Sequence, residues 1–192
     1  MKLIVATNNQ GKADEFAVLL RAHFESVQSL RQAGIGIEIE EDGETFAQNA
    51  AKKAEAVCKL TGFPTLADDS GLCVDGLDGA PGVYSARFAG HPCNDAANNA
   101  HLLQQMQNIP NRAAHFACVL ALARPGHPTL LAHGQLHGTI TIAPRGEQGF
   151  GYDALFEHNG RTLAQMQPHE KNALSHRARA VEDLLAKLSA LD

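Results

Sequence analysis

Residues 66–90, LADDSGLCVDGLDGAPGVYSARFAG, bear on both the fold class and the chemistry of this chain. Leu66 and Ala67 run into two adjacent carboxylates, Asp68 and Asp69, and the Ser70-Gly71 pair behind them predicts a turn. A second apolar segment ends at Asp75. A Gly/Pro-rich loop then carries Tyr84, Ser85 and Arg87. The expectation over roughly residues 65–75 is therefore strand, turn and strand. A turn alone needs one Asp or Gly, whereas this stretch crowds acid, hydroxyl and guanidinium groups together, as a metal-assisted phosphate site would require.

Upstream, Leu3 to Thr7 has the apolar character of a buried strand and leads into the polar turn Asn8-Asn9-Gln10-Gly11. A helix is expected from Lys12 to about Phe24, because Phe16, Leu19, Leu20 and His23 share one face. A weaker strand follows near Val27 to Leu30. Ile35, Ile37 and Ile39 then alternate with Gly36, Glu38 and Glu40, which predicts an extended segment ending in Glu40-Glu41-Asp42-Gly43. Thr45 with Gln48 three places later is a capping-box signature. It opens a long Ala-rich helix that stops at Gly62, with Pro64 beyond.

Downstream, Asn94 is the expected cap of a helix reaching about Gln107. Residues 113–123 and 129–141 are two long strand-like segments with a short Pro-containing join, which predicts an antiparallel pair. Residues 150–156 sit in or beside a strand, Asn159-Gly160 is a turn, and 173–191 forms a closing amphipathic helix. Strands and helices alternate without repeats or low-complexity linkers. The class is α/β, with a mixed central sheet flanked by helices.

The bulk numbers narrow the function. A chain of 192 residues, 44% hydrophobic, can bury a core and is expected to form one domain, with two lobes at most. A net charge of −5 argues against coating a nucleic acid, which needs clustered Lys and Arg. A charged small molecule remains compatible, because a local basic pocket can sit in an acidic protein. Cys58, Cys73, Cys93 and Cys118 are widely spaced without a CxxC pair, the pattern of reduced thiols in a cytoplasmic protein. The longest apolar run, Phe116 to Ala123, is far below membrane-spanning length, and Leu3 to Ala6 is too short for a signal-peptide core.

Several groups are candidates for chemistry. Thr7, Asn8, Asn9, Gln10, Gly11 and Lys12 lie where a strand meets a helix N-terminus, a position that favours anions; an ordinary strand-to-helix turn is the equal alternative. Glu40 or Glu41, together with Asp69, could supply the hard oxygens that Mg²⁺ takes. Asp68 is readable as a cap. Lys52 and Lys53 are adjacent on a helix, so their side chains diverge by about 100° and one at most serves a site. Phe150 between Gly149 and Gly151, followed by Tyr152 and Asp153, offers a ring for stacking on a base. Lys171, Ser175, His176 and Arg177 offer donors beside the last helix. His133 and His137 lack a third ligand, so zinc is not expected.

Together the segments TNNQGK, EEDGETFAQNAAKKA, LADDSGLCVDGLDGAPGVYSARFAG, GFGYDALF and EKNALSHRARA resemble the inosine triphosphate pyrophosphatase family, called dITP/XTP pyrophosphatases in bacteria. The resemblance spans almost the whole chain. It implies a single domain over residues 1–192 with two lobes around a central active-site cleft, Mg²⁺ dependence, a homodimer and a cytoplasmic location. It also implies hydrolysis of ITP, dITP and XTP to the monophosphate and pyrophosphate, with no nucleic-acid or membrane partner. Carried onto this sequence, Thr7 to Lys12 form the phosphate loop. Asp69 is the general base and a metal carboxylate, and Glu40 is the second metal carboxylate, with Glu41 as the alternative register. Lys53 and Ser70 meet phosphates, while Phe150, Gly151, Tyr152, Asp153, Lys171, His176 and Arg177 frame the base and nearby substrate.

Overall fold

The computed structural model describes residues 2–191. Its elements are β1 (Lys2–Val5), α1 (Gln10–Leu20), β2 (Ser26–Ser29), α2 (Phe46–Thr61), β3 (Thr65–Val74), α3 (Asp95–Gln105), β4 (Ala113–Arg124), β5 (His127–Ile140), β6 (Phe156–His158), β7 (Arg161–Thr162), α4 (Pro168–Asn172) and α5 (His176–Ser189). The strands form one mixed sheet in the order β2-β1-β3-β4-β5-β6-β7. β1 pairs in parallel with β2 and β3, while β5, β6 and β7 pair antiparallel. The expected α/β class with a mixed, helix-flanked sheet is the fold observed.

The chain divides into two compact units. One comprises the chain up to Asp69, Cys118–Gly134 and the chain from Arg177; the other comprises Ser70–Ala117 and Gln135–His176. In the first unit β1 and the parts of β3 and β4 that belong to it are buried on both faces, as strands between two helical layers must be. Leu3 and Val5 of β1 pack with Phe16 and Leu20 of α1 and with Ala180, Val181 and Leu184 of α5. Ile4 and Ala6 face the other way, onto Ala50, Ala54 and Val57 of α2. β4 alternates likewise, with Cys118, Leu120 and Leu122 on the first side and Val119, Ala121 and Ala123 on the second. In the second unit Leu72, Val74, Leu102, Phe116, Leu136, Tyr152 and Phe156 form a separate core. There β5 is buried at Leu136 and Ile140 but exposed at Gln135, His137 and Thr139, the one-sided pattern of an antiparallel strand.

The helix signals place α2 well. Thr45 Oγ1 accepts from the Gln48 amide at 3.2 Å and Gln48 Oε1 accepts from the Thr45 amide at 3.1 Å, so the capping box is formed. The helix ends at Gly62. Asn94 caps α3 through its contact with the Ala97 amide.

The expected turn at Ser70-Gly71 is absent: β3 runs unbroken from Thr65 to Val74. Leu66 and Ala67 on one side, and Leu72 and Val74 on the other, are each buried completely. Burial of these flanking residues outweighs the local turn preference of Ser-Gly. The closing helix α5 starts at His176 rather than Ala173, after a turn that separates it from the short helix α4. Residues 151–155 form turns before the short strand β6 rather than a strand of their own.

Candidate active site

The continuity of β3 determines what its two aspartates can touch. Successive strand residues face opposite sides of a sheet. Asp68 follows Leu66 onto the side of α1 and α5, and Asp69 follows Ala67 onto the side of α2. Asp68 accordingly accepts from Lys12 Nζ of α1 at 2.9 Å and lies 3.9 Å from Arg177 Nε of α5. Asp69 accepts from Asn49 Nδ2 of α2 at 2.9 Å. One dipeptide therefore serves two different charge environments.

Their acidities diverge as a result. Burial alone would raise the Asp68 carboxyl, but the charges of Lys12, Arg177 and Lys53 and the Lys12 hydrogen bond hold it well below the ordinary range. Burial pushes Asp69 up to about 6. Lys53, the Asn49 hydrogen bond and Lys12 oppose that rise, and the nearby Glu41 charge adds to it. Lys53 is itself buried, which disfavours its charge, yet Asp68, Glu41 and Asp69 raise its pKa above the free value. Divergent acidities of two neighbouring acids are a mark of catalytic sites.

Lys53 Nζ donates to Glu41 Oε1 at 2.7 Å, and the adjacent Lys52 is spent on the exposed Asp42 at 2.6 Å. Only one of the two lysines enters the cluster, as helical spacing requires. Of the two glutamates it is Glu41, not Glu40, that joins it. Ile35, Ile37 and Ile39 pack against the core at odd positions, and the same register turns Glu41 inward and leaves Glu40 exposed.

At the start of α1, Asn9 is the helix cap and accepts from the Lys12 amide at 3.0 Å, while Thr7 Oγ1 accepts from the Asn9 amide at 3.2 Å. Asn8 is exposed, and Gln10 Nε2 is used on Asp14 at 2.7 Å. First-turn amides lack partners within a helix, so those of Gln10 and Gly11 are left for solvent or an anion. Arg177 Nη1 donates to Glu15 Oε2 at 2.9 Å, so this arginine is committed to Glu15 and Asp68. Ser70 lies half-buried in β3 beside Asp69.

In the second unit the residues of the GFGYD segment converge on Lys171. Asp153 Oδ2 accepts from Lys171 Nζ at 2.6 Å and from the Phe150 amide at 3.0 Å. The same ammonium lies 4.6 Å from the centre of the Phe150 ring. Gly149 is required here: its φ is +78°, and any Cβ would collide with the Asp153 carboxylate. His176, next to Arg177, stacks on Phe116 with ring centres 4.7 Å apart and planes 12° from parallel. Tyr152 is anchored from within the second unit. Its ring belongs to the second core and its hydroxyl donates to the Ser85 carbonyl at 2.8 Å, so it supports the loop from within.

Asn49 was not among the residues expected to matter, and Asp68 proves to be an ion-pair partner of Lys12 rather than a cap. Asn49 is readable in hindsight from spacing alone, since it precedes Lys53 by one helical turn and shares its face. Its Oδ1 also accepts from the Gly43 amide at 2.8 Å, tying the acidic loop to α2. Asp68 needed the knowledge that β3 does not turn. Among the described residues no group of three or more His, Cys, Asp or Glu gathers to hold a metal. The four cysteines are free.

The first unit thus holds a cluster of acids and lysines on β3, α1 and α2, and the second holds a ring–ammonium pair, within an α/β fold. Residues 3–187 match the model of the Ham1 family. The dITP/XTP pyrophosphatase of Geobacter sulfurreducens is 48% identical over 184 residues, covering 94% of this chain and 92% of that protein. The Bacillus subtilis dITP/XTP pyrophosphatase is 46% identical, covering 98% and 95%. The solved Staphylococcus aureus Ham1 protein superimposes with a TM-score of 0.88 at 37% identity over all of both chains. The chain belongs to the Ham1 family.

Proposed function

We propose that this protein hydrolyses non-standard purine nucleoside triphosphates, dITP, XTP and ITP, to the monophosphate and pyrophosphate, removing them from the nucleotide pool. The observation that carries the reading is Asp69, a buried carboxylate with its pKa near neutrality, held by Asn49 among Lys53, Lys12 and Glu41. A general base works best when its pKa lies near the working pH. Asp69 is the carboxylate that would accept the proton of the attacking water. Lys53 and Lys12 would oppose the charge that accumulates on the phosphates as the α–β bond breaks, and the first amides of α1 would add fixed dipoles. Asp68 holds Lys12 in place and stays ionised throughout.

The donor set fits Mg²⁺. Asp69 and Glu41 are hard oxygen donors, with the Glu41 charge close enough to raise the proton affinity of Asp69, and Mg²⁺ is commonly held by one or two carboxylates with substrate phosphates completing its shell. Bound there, the ion would neutralise phosphate charge and acidify water.

Recognition of the base rests on Phe150, Lys171, Asp153 and His176. The Phe150 ring can stack on a purine, and Lys171 can donate to a 6-oxo group, whereas adenine presents an amino donor at that position. Sites built on such donors reject a mismatched group by up to about 10⁴–10⁵. The family resemblance extends the proposal to a homodimer in the cytoplasm, which sedimentation and fractionation would check; no helix among the described residues is long and apolar enough to cross a membrane. The central test is pyrophosphate release from a panel of dITP, XTP, ITP, dGTP, dATP and dTTP, with and without Mg²⁺. Preference for the first three with equimolar monophosphate and pyrophosphate is expected; equal rates on dATP, or release of orthophosphate alone, would overturn it.

A further inference from the structure

Phe150 lies between two glycines, both with left-handed backbone: φ is +78° at Gly149 and +61° at Gly151. Such a pair leaves a ring free to swing unless something else holds the loop. On the Asp153 side the Phe150 amide is held at 3.0 Å. On the other side the holder is α3. Asp95 Oδ2 accepts from the Gly151 amide at 2.7 Å, and Asn99 Nδ2 donates to the Gly151 carbonyl at 2.8 Å. Asp95 and Asn99 stand one helical turn apart on the same face, so a single helix grips both polar groups of one residue. Asn99 Nδ2 also donates to the Asp95 carbonyl at 2.9 Å, which uses both amide hydrogens.

Two further facts separate this clamp from ordinary packing. Asp95 is exposed, so burial gives no reason for the contact. Asn99 Oδ1 is buried with no hydrogen-bond partner among the described residues, a position that costs stability. Asn99 therefore holds the loop with its amide nitrogen at a cost to the fold. We propose that Asp95 and Asn99 are positioning residues for base recognition: they fix Gly151 and so hold the Phe150 ring where Lys171 and a purine can meet it. The inference rests on the reading that Phe150 receives the base.

The test uses the full-length protein with dITP and Mg²⁺. Asp95→Ala is expected to raise KM about tenfold with kcat within about twofold, the signature of lost uniform binding. Asp95→Asn, whose amide oxygen can still accept from Gly151, is expected to return KM to within about threefold of the parent, whereas a role for charge alone would not be rescued. In a Phe150→Ala background, Asp95→Ala is expected to add less than about twofold, because coupled residues are non-additive. An unchanged KM in Asp95→Ala, or an effect undiminished in the Phe150→Ala background, would overturn the clamp while leaving the purine reading intact. A Phe150→Ala protein with unaltered KM for dITP would remove the purine-stacking reading, and the clamp with it.

Discussion

Asp68 and Asp69 differ by one position and by everything around them. The Asp69 carboxyl is pushed up to about 6, so the fold prefers it neutral. A group of this kind contributes its full stability below the unfolded pKa of about 4, and that contribution is lost as pH rises through the folded value. Metal-free protein should therefore lose stability between about pH 4 and pH 6. Asp69→Asn keeps an acceptor for Asn49 and carries no charge. Its chemical denaturation in EDTA should show a gain of about 1–3 kcal/mol at pH 7.5 and none at pH 4, while turnover of dITP falls by about 10²–10⁴. A variant that is both active and no more stable would sink the assignment of Asp69. Asp68 has the opposite sign. Its pKa is depressed, so it stabilises the protein above the unfolded value and fails only in strong acid. Asp68→Asn removes the counter-charge of Lys12 and one of the two carboxylates facing the buried Arg177, whose pair with Glu15 remains. A loss of about 2–4 kcal/mol at pH 7.5 is expected, discounted from the fully buried case because water reaches Lys12.

Among the elements, α2 brings the most to the site, since it delivers Asn49 and Lys53 to Asp69 and Glu41. Its start depends on the Thr45–Gln48 box, so Thr45→Ala should cost about 1 kcal/mol, or roughly 2–4 °C in Tm. Turnover should stay within about threefold, because Asn49 has a second anchor at Gly43 and Lys53 sits two turns inside the helix. A large activity loss with unchanged Tm would contradict this. The helix was legible in the sequence because its signals are local: a capping box, an Ala-rich run and a stop at Gly62. β3 was misread for the converse reason. Ser70-Gly71 is a strong local turn signal, and only the burial of Leu66, Ala67, Leu72 and Val74, a non-local fact, keeps the strand straight. The Ile35-Ile37-Ile39 alternation, extended by two residues, places Glu41 on the packed side and Glu40 on the exposed one. Asp95 and Asn99 left no trace, because their partner Gly151 is remote in sequence and joins them through its backbone.

At the scale of the whole molecule, the acidic net charge of −5 gives no hint of the two lysines set against Asp68, Asp69 and Glu41, which shows how little total charge says about a site. Connectivity says more. The chain condenses into two compact units with separate cores, yet β3, β4 and β5 each run unbroken from one unit into the other. β3 passes between them at Asp69–Ser70, β4 at Ala117–Cys118 and β5 at Gly134–Gln135. Neither unit owns a complete set of strands, so melting one would strip strand residues from both. Unfolding should therefore be a single transition despite the two cores. Leu120→Ala in the first core and Leu136→Ala in the second, both fully buried, should each cost about 2–5 kcal/mol. Each should also lower one common Tm, with calorimetric and van't Hoff enthalpies agreeing. Two resolved transitions, one moved by Leu120→Ala and the other by Leu136→Ala, would show that the units unfold independently and that the shared strands do not couple them.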